Sequence, residues 1–378
     1  MRFESVLRRL GYGAVGGLLS IGIAVNAQGI GTGVVQAIPL FADVPATTAA
    51  LNTQGTLREG ERRLRVVRVN LDALGGFYGA GPAQSRLELT LFDGETRTAV
   101  LDRLETTYEG RSWIGHIEGV ELSSVILTVT RGVVAGSVVW PGGHEYGVSR
   151  AMGGTHVLAE LAPVAGFGND VLTVLPRRDE LAVNAAGLAD GALADDPSRV
   201  DILAVYTPEA KQEVGGDVNA AAWMDLQFSR LNAALSNSRV PGRARLIRTL
   251  EIPFAVRQTC GQSINSLSSS NDGNFDEVHA LRDAFGADLV HVFIPYRADL
   301  DCAGIAFLGP GPATLGLGLS VINTDLTFAH EIGHNLGATH DWYVDESRNS
   351  GKGFVNCAAG WRDVMSYADE CVARGLPV

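Results

Sequence analysis

The first 259 residues contain no cysteine: Cys260, Cys302, Cys357 and Cys371 all fall in the last third of the chain. Lysine is almost missing too, with only Lys211 and Lys352, so the basic side is nearly all arginine. Acidic residues outnumber basic ones 42 to 30, and the net charge of −12 excludes a broad nucleic-acid surface. Beyond the N-terminus there is no run of about 18 apolar residues, so no membrane span is expected there. The 46 glycines show no collagen period, and an apolar share of 46% excludes a mostly disordered chain. What remains is 378 residues, enough for two packed domains of ordinary size.

The N-terminus reads as an address. Arg2, Arg8 and Arg9 form a positive n-region, Leu10 to Val25 an apolar stretch, and Val25-Asn26-Ala27 a small-residue cleavage site. Residues 1–27 are therefore expected to be a secretory signal peptide; Arg8-Arg9 fits a twin-arginine signal poorly, and an uncleaved anchor is the other reading. Export, outside the cell or to a periplasm, means an oxidising compartment and hence two disulfides.

From about residue 60 to 160 the hydrophobic period is two, as in Leu87-Glu88-Leu89-Thr90-Leu91. Val125–Thr130 and Val133–Trp140 flank Arg131-Gly132 and predict a hairpin. Residues 28–175 are read as a β-rich domain; His116, His144 and His156 are scattered in it and suggest no site. Residues 176–199, rich in Ala, Asp and Gly, read as a linker, with Arg177-Arg178 a plausible cut. Residues 200–378 then alternate strands and helices. Strands are expected at Asp201–Tyr206, Arg245–Phe254, Asp288–Ile294, Gly304–Leu308 and Leu317–Ile322. Helices are expected at Pro208 to about Leu235 and at Asp276–Phe285, the latter with Asp276 near its N-cap.

Chemistry concentrates in His330-Glu331-Ile332-Gly333-His334-Asn335-Leu336-Gly337-Ala338-Thr339-His340. On a helix, residues i and i+4 share a face, so His330 and His334 can reach one ion. Thr324 or Asp325 can cap that helix. Gly337 suits a sharp stop, and the turn brings His340 round as a third ligand. Three neutral imidazoles leave one zinc position open for water, the mark of a catalytic site. Glu331 would take the proton as zinc-bound water attacks a peptide carbonyl.

The motif with Val364-Met365-Ser366-Tyr367 resembles the metzincin zinc proteases, and Asp341 after the third histidine resembles their reprolysin or adamalysin branch. Asp201–Pro208 and Cys302-Ala303-Gly304-Ile305-Ala306 are similar to bacterial reprolysin-like peptidases, including peptidyl-Asp metalloendopeptidases. The resemblance covers about 200–371. It implies an α/β metzincin catalytic domain, a mixed twisted sheet with long helices, following a β-rich propeptide; Trp113-Ile114-Gly115-His116 is similar to such propeptides. Met365 would form an apolar floor under the ligands. Tyr367 is closer to the serralysin and astacin pattern and is read as a fifth ligand, an oxyanion donor or a packed aromatic. Gly304 and Ala306 would lie on the strand that holds substrate backbone antiparallel.

Smaller features follow. The spacing of Cys357 and Cys371 around Met365 suits a loop-closing disulfide, which would leave Cys260 with Cys302, although four cysteines allow three connectivities. Asp272, Asn274 and Asp276 mimic a calcium loop but lack its glycine, so calcium is left open. His279 and His291 read as packing residues. Arg348, Lys352 and Arg362 either form a pocket for acidic side chains or are solvated loop charge. A propeptide thiolate cannot block the metal, which leaves a carboxylate or steric cover; Asp170 is a candidate. The expectation is a monomeric, secreted zinc endopeptidase acting on proteins or peptides and inhibited by its own propeptide. The rivals are a secreted binding or adhesion module with a silent metzincin domain, and a peptidase confined to short peptides or cell-wall crosslinks.

Overall fold

The computed structural model describes residues 36–45, 61–75, 82–162, 170–172, 198–254, 259–297, 299–309, 316–322, 326–347 and 351–376. The expected signal segment, Arg177-Arg178, Thr324, Asp325 and Arg348 lie outside these residues.

Ten strands build the first sheet: β1 (Ile38–Pro39), β2 (Phe41–Asp43), β3 (Glu61–Val69), β4 (Arg86–Thr90), β5 (Thr96–Thr106), β6 (Gly110–Ile117), β7 (Ser124–Thr130), β8 (Val133–Trp140), β9 (His144–Arg150) and β10 (His156–Leu161). The expected hairpin is β7–β8, with Arg131 and Gly132 both at positive φ (50° and 78°), the geometry whose twist matches the flanking strands. The order is β1-β4-β5-β6-β7-β8-β9-β10-β3-β2, so β1 and β2 stand at opposite edges although one residue separates them in sequence. Nine inter-strand steps of about 4.8 Å would separate the edges of a flat sheet by roughly 40 Å. The chain between β1 and β2 cannot span that, so the sheet must curl on itself. Its interior is an apolar core built around Trp113, Leu127, Val138 and Leu158. His156 is buried, and its Nε2 accepts from the Val134 amide at 3.2 Å, as a core histidine does.

The second sheet has six strands: β11 (Val171–Leu172), β12 (Arg199–Tyr206), β13 (Arg243–Glu251), β14 (Leu289–Ile294), β15 (Gly304–Phe307) and β16 (Leu317–Val321), in the order β11-β15-β16-β14-β12-β13. Strands β12, β13, β14 and β16 are mutually parallel, and β15 returns antiparallel to β16. Residues 170–172 precede the expected linker, yet β11 pairs with β15 of this second sheet.

The helix expected over 208–235 is two helices, α1 (Pro208–Glu213) and α2 (Asp217–Asn237). Gly215 and Gly216, at φ of 94° and 91°, take the chain out of helical geometry between them. On the other face lie α3 (Cys260–Ser268) and α4 (Asp276–Phe285). Asp276 is the first residue of α4 rather than its cap; Phe275 occupies that place in a left-handed conformation. The Asp276 carboxylate accepts from the Asp272 and Gly273 amides, so the calcium-like cluster is a self-bonded loop. Helix α5 (Thr327–Asn335) packs with α2 on the opposite face, through Phe328, Ile332, Phe228 and Leu231. Strands β17 (Val355–Asn356) and β18 (Trp361–Arg362) and helix α6 (Asp369–Ala373) complete the described chain.

Two disulfides join Cys260 to Cys302 and Cys357 to Cys371, the pairing that the loop spacing favoured. The first ties α3 to the approach of β15, and the second closes the loop carrying Met365. Closing loops of these lengths stabilises by about 4 and about 3 kcal/mol through the unfolded chain. Replacing either pair with serines should lower the unfolding free energy by about 2–5 kcal/mol in denaturant titration. A loss below about 1 kcal/mol would contradict that role.

Candidate metal centre

Three side chains meet because two backbone devices carry them. His330 and His334 project from one face of α5, one turn apart. Gly337, at φ 96°, lets the chain leave the helix sharply and return with His340. The Nε2 atoms then stand 3.0 Å (His330–His334), 3.1 Å (His334–His340) and 3.2 Å (His330–His340) apart. All three rings are buried.

Ring orientation is fixed from behind. His330 Nδ1 lies 2.7 Å from the Val364 carbonyl and His334 Nδ1 lies 2.8 Å from the Ala338 carbonyl. A carbonyl oxygen can only accept, so both rings carry a proton on Nδ1 and aim Nε2 at the common centre. Asp170 completes the cluster. Its Oδ1 is 2.7 Å from His340 Nε2, and its Oδ2 is 3.2 Å from His330 Nε2.

Four donor atoms packed this closely need positive charge at their centre. Three imidazolium rings at 3.0–3.2 Å would repel one another, whereas one cation satisfies all four groups. Zinc–nitrogen bonds of about 2.0–2.1 Å in a tetrahedron place ligand atoms about 3.3–3.4 Å apart, close to the observed spacing. The residues fit zinc.

Glu331 lies beside this centre, fully buried, and neither carboxylate oxygen has a hydrogen-bond partner among the described residues. Burial first, and then the charge of Asp170, push its carboxyl well above the usual range. Such an orphaned carboxylate is the expected state of a group whose partner is a water or substrate proton. Gly304 makes room for it: a Cβ there would stand 2.5 Å from Glu331 Oε1 and 2.6 Å from Thr327 Cγ2.

Met365 lies under the zinc helix, its Sδ only 2.2 Å from where a Cβ on Gly333 would be, so close packing of helix and floor requires that glycine. Asp363 shapes the turn by accepting from the Met365 amide and the Ser366 hydroxyl. Asp341 ties the turn to the third histidine, its Oδ2 accepting from the Tyr367 amide at 2.9 Å. Asp363 was missed in the sequence; its position two before Met365 is the available signal. The Tyr367 ring lies against those of His330 and His340 at centroid distances of 5.7 and 4.5 Å. Its hydroxyl donates to Asp170. Burial, and then the nearby Asp170 charge, raise that phenol above its ordinary range.

Ala306 and Gly304 lie on β15 as expected, and the Ala306 amide donates to the Asp170 carbonyl at 3.0 Å. Lys352 is paired with Asp345, and Arg362 Nη1 donates to the Ser366 carbonyl. His291 is buried under α5, its Nε2 2.9 Å from Ser320 Oγ, and His279 Nε2 lies 3.2 Å from the Ser269 carbonyl; both are packing residues.

Residues 197–373 match the profile of the reprolysin-like metallopeptidases of family M12B. The chain is similar to a peptidyl-Asp metalloendopeptidase of Xanthomonas campestris pv. campestris, 26% identical, with 93% of this chain and 87% of that protein covered. A protein of the same name from Stenotrophomonas maltophilia is 26% identical, with 95% and 88% covered. Among solved structures, metalloproteinase-II from Bacteroides fragilis matches with a TM-score of 0.42 and 11% identity, covering 85% of this chain and 93% of that one.

Mass spectrometry of the native chain should find one zinc, and His334→Ala should lose it. Gly304→Ala should keep the ion while lowering the unfolding free energy by about 1–3 kcal/mol, through the clash with Glu331. Loss of the ion in Gly304→Ala would show that the glycine serves the ligands instead.

Proposed function

With residues 197–373 a reprolysin-like M12B metallopeptidase domain and the chain a zinc metalloendopeptidase, we propose that it is exported as a zymogen, matured by a cut within 176–199, and prefers acidic residues. The observation that carries this reading is Asp170, whose buried carboxylate sits among the three imidazoles where a water would otherwise be.

Zinc held by His330, His334 and His340 would supply Lewis acidity to the scissile carbonyl and to the attacking water. Glu331, orphaned and buried beside it, takes the proton of that water and hands it to the leaving amide nitrogen. The β15 backbone receives the substrate strand. Once Asp170 leaves, the Tyr367 hydroxyl can donate to the oxygen that gains charge as the carbonyl is attacked.

Latency has a backbone component as well. β11 runs parallel to β15, opposite to the antiparallel course expected of a substrate, and it covers the strand that a substrate would need. A peptide lying in that direction presents its bonds the wrong way round to Glu331. The similarity to the Xanthomonas and Stenotrophomonas proteins covers most of the chain, so it is not confined to the catalytic domain.

Export is supported by the leader pattern and the two disulfides; no helix among the described residues is long and apolar enough to cross a membrane. The names of the relatives support an acidic preference. Lys352 is already neutralised by Asp345, which leaves Arg362, beside the Met365 turn, as the candidate among the described residues of that trio to meet an acidic side chain.

Three measurements test the reading. Glu331→Ala should keep zinc and lower kcat by about 10²–10⁴-fold; unchanged turnover would refute the mechanism. Asp170→Ala should raise the activity of the uncut chain by about tenfold or more, and no change would remove the carboxylate from the latency argument. A peptide-library digest with and without chelator should report metal dependence and cuts beside acidic residues.

A further inference from the structure

Helix α2 is buried nearly all round, though its sequence is not that of a core helix. Twelve of its residues are buried, among them Asp225, Gln227, Ser229, Arg230 and Asn232. One face, with Met224, Phe228 and Leu231, packs into the catalytic core. The first sheet covers another.

That second contact is built like an interface between two proteins. A small apolar ring joins Ile114, Ile126, Val133 and Ala135 of the sheet to Ala222, Leu226 and Ala233 of α2. Its centre is polar. Asp225 Oδ1 accepts from the Tyr108 amide at 3.0 Å, and its Oδ2 accepts from the Thr130 hydroxyl at 2.6 Å and the Glu109 amide at 3.3 Å. One turn on, Ser229 Oγ meets Ser112 Oγ at 2.7 Å. Two open crevices, of about 270 and 430 Å³, run along the same seam. The first sheet keeps its own separate core. Two cores, a polar contact and an incompletely filled seam are marks of units that can part.

We propose that the outward face of α2, centred on Asp225, is a docking surface for the chain's own N-terminal sheet and holds it after the connecting segment is cut. The proposal rests on the zymogen reading for its consequence: a cut within 176–199 does not by itself activate the enzyme. Asp170 stays in the cleft because the sheet N-terminal to it remains docked on α2, some distance from the cleft. Activation then requires the sheet to be released or digested.

The test uses the full chain in the Glu331→Gln background, with a site for a sequence-specific protease inserted between 184 and 190. After complete cleavage, both fragments should co-elute in size-exclusion chromatography. Asp225→Ala should raise their dissociation constant at least tenfold, as expected for losing charge-assisted hydrogen bonds at a buried site. Should that variant fail to fold, Thr130→Val, altered from the sheet side, carries the same expected direction, with faster hydrogen exchange at the Tyr108 and Glu109 amides. Separation of the fragments with Asp225 intact would overturn the proposal. So would retention as tight in Asp225→Ala, or in Thr130→Val where that replaces it, as in the unaltered chain. Activity of uncut Asp170→Ala, measured with Glu331 present, judges the latency reading independently of this binding result.

Discussion

The centre of this molecule is an electrostatic demand. Three imidazole nitrogens stand 3.0–3.2 Å apart in a buried space with a carboxylate 2.7–3.7 Å from them, and protonating all three rings would set like charges against one another. A single cation satisfies all four groups. The surrounding fold can be read as what is needed to hold those four groups together before the ion arrives. Helix α5 supplies two rings, the left-handed Gly337 returns the third, and carbonyls of Val364 and Ala338 fix two of the rings from behind. Asp341 and Asp363 then lock the turn that carries Met365 and Tyr367 against them.

Glycine makes the close approaches possible. At Gly304 and Gly333 a Cβ would overlap Glu331 and Met365 respectively, so the zinc helix can lie against both its strand and its floor only where side chains are missing. Asn335 adds the last tether, its amide nitrogen donating to the carbonyls of Phe307 and Leu317 on β15 and β16. The strand proposed to receive substrate is thereby rigidly joined to the helix that holds the metal ligands.

Much of this was legible in the chain. His330, Glu331, His334 and Gly337 are local, and helix geometry alone converts their spacing into a shared face. The hairpin at Arg131-Gly132 was readable from a period of two and a turn signal, and strands β14 to β16 from short apolar runs, all of them short-range properties. The apolar period of the helix expected over 208–235 lies in Trp223, Leu226, Phe228, Leu231 and Leu235, all after Gly215-Gly216, so the break is marked by the glycine pair and not by the hydrophobic pattern. The burial of Asp225 and Ser229 left no trace: polar residues on a helix normally mark the solvent side, and only contact with a distant sheet makes them interior.

The sequence by itself determined the three histidines that can hold a metal, the proposed general base and the number of disulfides, since each depends on residue identity and short spacing. Tertiary structure decided what lies opposite them. Asp170, 160 residues before His330, is an unremarkable acid in a glycine-rich stretch until β11 pairs with β15 and sets its carboxylate among the rings. The placement of the N-terminal sheet on α2 has the same origin. Both are long-range pairings, set by complementarity between surfaces that no local pattern encodes.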